Sequence, residues 1–235
     1  MYLALRTIFS PWMAIFILTL LAQTKVQAQD NMAKRMQACT TCHGAQGITS
    51  NQAYFPRIAG KPAGYLFNQL QNFKEGRRHY GLMVGMVEHL SDAYLFDMAQ
   101  YFAGLDLPYQ NPAALKTPAS DASLQLGKTL SLQGDKSRSI PACTSCHGVA
   151  LMGVQPAIPA LLGLPRDYLA AQLGAWQTGL RRAHAPDCMG RIAKVLHPSE
   201  VDAVANWLAS QPVPAVTKAA ASLPEPLAEK CGGAK

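Results

Sequence analysis

Charge is scarce in this chain and nowhere concentrated. Asp, Glu, Lys and Arg make up 15% of the 235 residues, and no basic run is longer than two residues. The 21 basic residues outnumber the 14 acidic ones, for a formal net charge of +7. A scattered excess of this kind lacks the clustered footprint of a nucleic-acid binder. It suits a mildly basic surface that steers an acidic protein partner. Sustained strand alternation is also missing, which leaves helix as the dominant expected element.

Long apolar runs are missing too, with one exception at the start. Pro11–Ala22 is apolar, with Arg6 before it and the small-x-small site Val26-Gln27-Ala28 behind it. That is the layout of a cleaved export leader. The run is well short of the ~20 residues that span a bilayer. Cleavage near Ala28 would remove Arg6 and Lys25, lowering the net charge from +7 to +5. A periplasmic location is expected, with peripheral membrane association possible; the alternative is that the run stays on as an uncleaved membrane anchor.

What is present is a duplication. Ala38-Cys39-Thr40-Thr41-Cys42-His43-Gly44 recurs as Ala142-Cys143-Thr144-Ser145-Cys146-His147-Gly148. Phe55-Pro56-Arg57-Ile58-Ala59-Gly60 recurs as Ile158-Pro159-Ala160-Leu161-Leu162-Gly163. Tyr65, Gln69 and Gly76 recur as Tyr168, Gln172 and Gly179. Further on, Met83, Leu90 and Tyr101 recur as Met189, Leu196 and Trp207. An ordered series with small length changes implies two copies of one unit. The expected organisation is a leader over 1–28, a first domain over 29–107 and a Pro-rich linker over 108–119. A second domain over 120–211 and a Pro/Ala-rich, poorly ordered tail over 212–235 follow. Helices are expected over Asp30–Cys42, Ala63–Glu75, from Ser91-Asp92 to about Ala103, over Arg166–Gln177, and from Ser199-Glu200 to about Ala209. The fold class is all-α, as two tandem domains.

Cys-x-x-Cys-His carries the chemistry. At a helix end, positions i and i+3 share a face, so both thiols reach the two vinyl groups along one haem edge. The imidazole at i+4 then addresses the iron. Cys39 and Cys42 would attach one haem c, with His43 as iron ligand; Cys143, Cys146 and His147 would hold a second. A zinc site would need the two Cys pairs to converge, yet each heads its own repeat. A redox dithiol would need a βαβ context, which the pattern lacks. For the opposite face of each iron, Met83 lies 40 residues after His43 and Met189 lies 42 after His147. Met86 competes in the first copy, but its repeat equivalent is Ile192, which cannot ligate. Cys188 competes in the second copy, but only Met189 aligns with Met83. Two such sites would make a one-electron carrier.

These residues resemble the dihaem cytochrome c4 family, two fused class I cytochrome c domains, over about residues 30–211. The resemblance rests on both Cys-x-x-Cys-His-Gly motifs, the Phe55–Gly60 segment, the Tyr65…Gln69-Leu70…Gly76 stretch and the Met83…Leu90-Ser91-Asp92 stretch. It implies electron shuttling in the periplasm between soluble or membrane-bound redox proteins: an oxidase, a reductase or a dehydrogenase. It also implies that Pro56 and Pro159 present their carbonyls to the proximal imidazoles. Three features depart from the pattern: Ala160-Leu161-Leu162, Cys188 and the tail with Cys231. Cys188 and Cys231 could pair as a disulfide, stay free, bridge to another chain or, for Cys188, ligate iron. The last option would suit a dihaem enzyme rather than a carrier. A permanent cytochrome subunit of a dehydrogenase is the nearer alternative. Arg77-Arg78 and Arg181-Arg182 recur in both copies and read equally as a solvated loop or as a docking and haem-carboxylate surface.

Overall fold

The computed structural model describes residues 32–109, 111, 118–227 and 229–234. The expected leader and most of the linker lie outside these residues. Two compact units are distinguished, Met1–Ala38 and Cys39–Lys235. Both repeats beyond Ala38 therefore belong to one compact unit. Within the first unit, residues 32–35 are helical.

The first copy contributes α1 (Gln37–His43), α2 (Ala63–Lys74), α3 (Gly81–Val87) and α4 (Asp92–Ala103). The second contributes α5 (Asp121–Leu132), α6 (Thr144–His147), α7 (Arg166–Gln177), α8 (Cys188–Val195) and α9 (Pro198–Ser210). Among the described residues, pairing of extended backbone is limited to isolated bridges. The class is all-α, as expected.

Local chemistry sets the helix starts. Ser91 Oγ accepts from the Tyr94 amide at 3.2 Å, and Asp92 follows in the positive first turn of α4. Ser120 does the same for α5 through the Ser123 amide. His197, rather than Ser199, caps α9: its amide donates to Glu200 Oε2 at 2.8 Å, with Pro198 at the first position. Helices α3, α5, α6 and α8 lie outside the expected helix ranges. The second copy packs Leu130 of α5 against Val201, Val204, Trp207 and Leu208 of α9. Gly127 makes that crossing close, since a Cβ there would lie 2.1 Å from the Ala203 carbonyl oxygen.

The tail departs from expectation: it is built into the second copy. Val213 packs on the core. The Ala220 amide donates to Gly153 O at 3.0 Å, and Ala220 O accepts from the Gln155 amide at 2.8 Å. Cys231 is disulfide-bonded to Cys188. These contacts join distant segments, so local composition carries no trace of them.

Arg78 and Arg181 are neither solvated nor a free docking surface, whereas Arg182 is exposed. Arg78 donates to Gln69 Oε1 at 3.0 Å and to Gln172 Oε1 at 2.7 Å. Arg181 donates to Gln172 Oε1 at 2.7 Å and to Gln69 Oε1 at 3.0 Å. Each arginine thus bonds its own copy's glutamine and the other copy's. The His79 amide donates to Leu180 O, and the Arg182 amide to Arg77 O. This is the reciprocal pattern of a two-fold interface, here within one chain.

Candidate haem sites

Helix α1 carries Cys39, Cys42 and His43; Cys143 precedes α6, which carries Cys146 and His147. Both imidazoles are buried. His43 Nδ1 lies 2.8 Å from Pro56 O, and His147 Nδ1 lies 2.8 Å from Pro159 O. A carbonyl can only accept, so Nδ1 carries the hydrogen in each ring and Nε2 keeps its lone pair. Burial pushes both imidazoles below their ordinary pKa, against a smaller upward effect of the proline carbonyls. Each ring is thus neutral, oriented and ready to ligate through Nε2.

The thiols behave unlike a redox pair. Burial raises Cys39 and Cys146, and pushes Cys143 up to about 11. A reactive dithiol needs the reverse shift. Among the described residues, no group of potential metal ligands unites the two Cys pairs.

In the second copy these side chains open on a cavity of about 200 Å³. Cys143, Cys146, His147 and Met189 all line it, amid apolar residues such as Leu161, Leu164 and Ile192. Lys61 and Arg181 line it as well, and both are buried. Trp176 lines it too, and its Nε1 is buried with no hydrogen-bond partner among the described residues. An apolar slot with a neutral imidazole, a thioether, two thiols and buried cations fits haem c, an apolar macrocycle with two carboxylates.

The two candidate methionines lie on helices rather than loops. Met83 is half-buried on α3, whereas its competitor Met86 is 45% exposed. Met189 is half-buried on α8. Cys188, beside it, is not available to iron: its sulfur is bonded to Cys231. The reading of a thiolate-ligated second haem is therefore overturned. Sequence reasoning missed Lys61. The signal at Trp176 is the change from Phe73 to Trp176 between the repeats.

Comparison with known proteins matches this arrangement. The cytochrome c family model covers residues 124–212. The chain is 39% identical to the thiosulfate dehydrogenase electron acceptor of Thiomonas intermedia, over 78% of this chain and 83% of that one. It is 32% identical to cytochrome c4 of Pseudomonas aeruginosa, over 81% and 92% of the respective chains. The crystal structure of reduced cytochrome c4 from Pseudomonas stutzeri superposes with a TM-score of 0.62 at 29% identity, covering 77% of this chain and 96% of that one. Thiosulfate dehydrogenase TsdBA from Marichromatium purpuratum gives 0.65 at 32% identity, over 74% of this chain; the chain spans 36% of that protein.

Tandem helical domains and two Cys-x-x-Cys-His sites define a c-type cytochrome with two haem c groups. The chain belongs to the dihaem cytochrome c4 family. It is an electron-transfer protein, either a carrier or a dehydrogenase subunit. Among the described residues, no helix is long and apolar enough to cross a membrane.

Proposed function

We propose that the chain is a periplasmic acceptor of electrons from a dehydrogenase acting on a reduced sulfur compound, thiosulfate being the first candidate. The reading is carried by the relative from Thiomonas intermedia, named as the electron acceptor of thiosulfate dehydrogenase. In this reading residues 29–107 and 120–211 are the two haem domains, joined by a 108–119 linker. Cys39, Cys42, Cys143 and Cys146 form the thioethers. His43 with Met83, and His147 with Met189, would hold the two irons. When bound, haem would supply a one-electron iron couple.

The chain's own residues prepare that couple. The proline carbonyls fix each imidazole in one tautomer and orientation. The methionine thioether is neutral and soft, which favours ferrous iron and raises the potential. Apolar walls such as Leu161, Leu164 and Ile192 would shield the second haem from water, and ligation by both His147 and Met189 would leave no position for substrate.

The direct test mixes the purified dihaem protein with a thiosulfate dehydrogenase and thiosulfate, and follows the visible α-band. Catalytic reduction of both haems is expected. A protein that dithionite reduces but the enzyme with thiosulfate does not would refute the assigned partner. The electron-transfer assignment would survive that result.

A further inference from the structure

Trp176 lies in the last turns of α7, and one face of its ring is covered by the Arg181 guanidinium at 3.8 Å. Its Nε1–H is buried without an acceptor among the described residues. Burial of an indole N–H is normally accompanied by a hydrogen bond. Arg181 and Gln172 cannot supply one. Arg181 is a cation with donors only, directed at Gln172, Gln69 and the Tyr65 hydroxyl. The Gln172 side-chain oxygen already accepts from both Arg78 and Arg181. The missing acceptor must therefore come from whatever fills the cavity that Trp176 lines. Haem c has its ring nitrogens on iron, so its remaining strong acceptors are the two propionate carboxylates.

The first copy supplies the control. Phe73 holds the register of Trp176, as Gln69 and Tyr65 hold those of Gln172 and Tyr168. The Arg78 guanidinium lies over the Phe73 ring at 4.6 Å, as Arg181 lies over Trp176. The cation-on-ring arrangement is common to both copies; the N–H donor is not.

We infer that Trp176 Nε1 donates a hydrogen bond to a propionate of the second haem and raises the potential of that haem. An uncompensated carboxylate near the iron favours the ferric state, so a donor that disperses its charge favours reduction. The first haem receives no such bond from Phe73. The inference rests on the second haem occupying the cavity lined by Cys143, Cys146 and His147.

The experiment is Trp176→Phe in the full dihaem protein, titrated with each haem followed by its own NMR methyl resonances. Phenylalanine is already accommodated beneath an arginine in the first copy, so folding is expected to be retained. The second haem's potential should fall while the first haem's stays unchanged. In the wild-type protein, the Trp176 indole proton should be protected from exchange in water. An unchanged second potential, equal shifts of both haems, or an indole proton that exchanges as freely as an exposed one would overturn the inference. Met189→Ala in parallel reports on the site reading beneath it: if that substitution leaves the second haem's ligation and potential unaltered, Met189 is not its ligand, and the reading of the site has failed rather than the Trp176 contact.

Discussion

The two copies share one chemistry but differ in how they cover the helix that carries the methionine. In the first, α3 leaves Leu82 66% exposed and Met86 45% exposed, with Tyr80 and Tyr54 beside them joined through their hydroxyls at 2.6 Å. In the second, α8 is held by the tail. The Cys188–Cys231 disulfide tethers its first residue, Arg191 pairs with Glu229, and Leu227 and Gly233 line the cavity. Duplication thus preserved the iron site while the additions closed one crevice. The tail would shield a haem in that cavity from water, whereas the apolar face of α3 has the character of a contact surface.

The most severe way to break the equivalence of the two copies is at the thioethers. Met189→Ala is expected to abolish low-spin Met–His ligation at the second haem only, and Met83→Ala at the first only. Each potential should fall on the order of tenths of a volt, within the ~0.8 V range that axial ligands span. Visible and EPR spectra with a redox titration read the result. If either haem keeps its ligation and potential after its methionine is removed, that pairing is wrong.

The next effect concerns the tail. Cys231→Ser opens a loop whose ends are 43 residues apart in sequence. Loss of such a crosslink costs about 2–4 kcal/mol. Denaturant unfolding should show that loss at the second haem's Met signature and leave the first haem's midpoint nearly unmoved. Equal destabilisation of both would mean that the tail supports the whole unit. The Asn68 side chain, which donates to Gly233 O at 3.2 Å, offers one route for that coupling.

The repeat pattern also marks how much could be read before the structure. Helices α2, α4, α7 and α9 were legible from their apolar stripes, and α4 also from its Ser91-Asp92 start. The prolines opposite both histidines were legible through the family resemblance. Helix α5 was not, because Gly127 and the flanking Ser and Thr dilute its pattern. That glycine answers to the Ala203 backbone on another helix. Helix α8 starts on Asp187, whose carboxylate accepts from the Gly190 amide at 2.8 Å, a cue that proline and cysteine neighbours obscure. The arginines recurred visibly, yet their reciprocal bonding follows only from how the copies face each other.

That interface gives a smaller and asymmetric prediction. Arg181 is 4% exposed, whereas Arg78 is half-buried. Arg181→Met strips donors from two glutamines and a tyrosine and should cost about 1–3 kcal/mol. Arg78→Met should cost less. Both leave the haem ligands in place, so thermal unfolding should move while the Met–Fe spectra at low temperature do not. Equal costs would show that burial does not decide between the two.

The smallest effect is electrostatic: the second copy holds two depressed carboxylates, Glu200 and Asp135, against one in the first, Asp92, which Lys74 holds low. Arg138 donates to both Glu200 carboxylate oxygens, at 3.0 and 2.6 Å, and to Asp135 at 2.7 Å. In the first copy the residue equivalent to Glu200 is Tyr94. Hydrogen bonding to Arg138 holds Glu200 below the usual carboxylate range, despite the opposing effect of burial. Ser137 first, then Arg138, hold Asp135 at about 2. A carboxylate depressed in the folded state adds stability above its unfolded pKa and loses it as pH falls through the folded value. Acidification from neutral pH through ~4 towards 2 should therefore weaken the second copy more than the first. Arg138→Met should flatten that difference, since the arginine depresses both groups. Following each haem's Met signature through an acid titration tests this directly. A second copy that resists acid as well as the first, in wild type and variant alike, would remove the ion pair from the account of what distinguishes them.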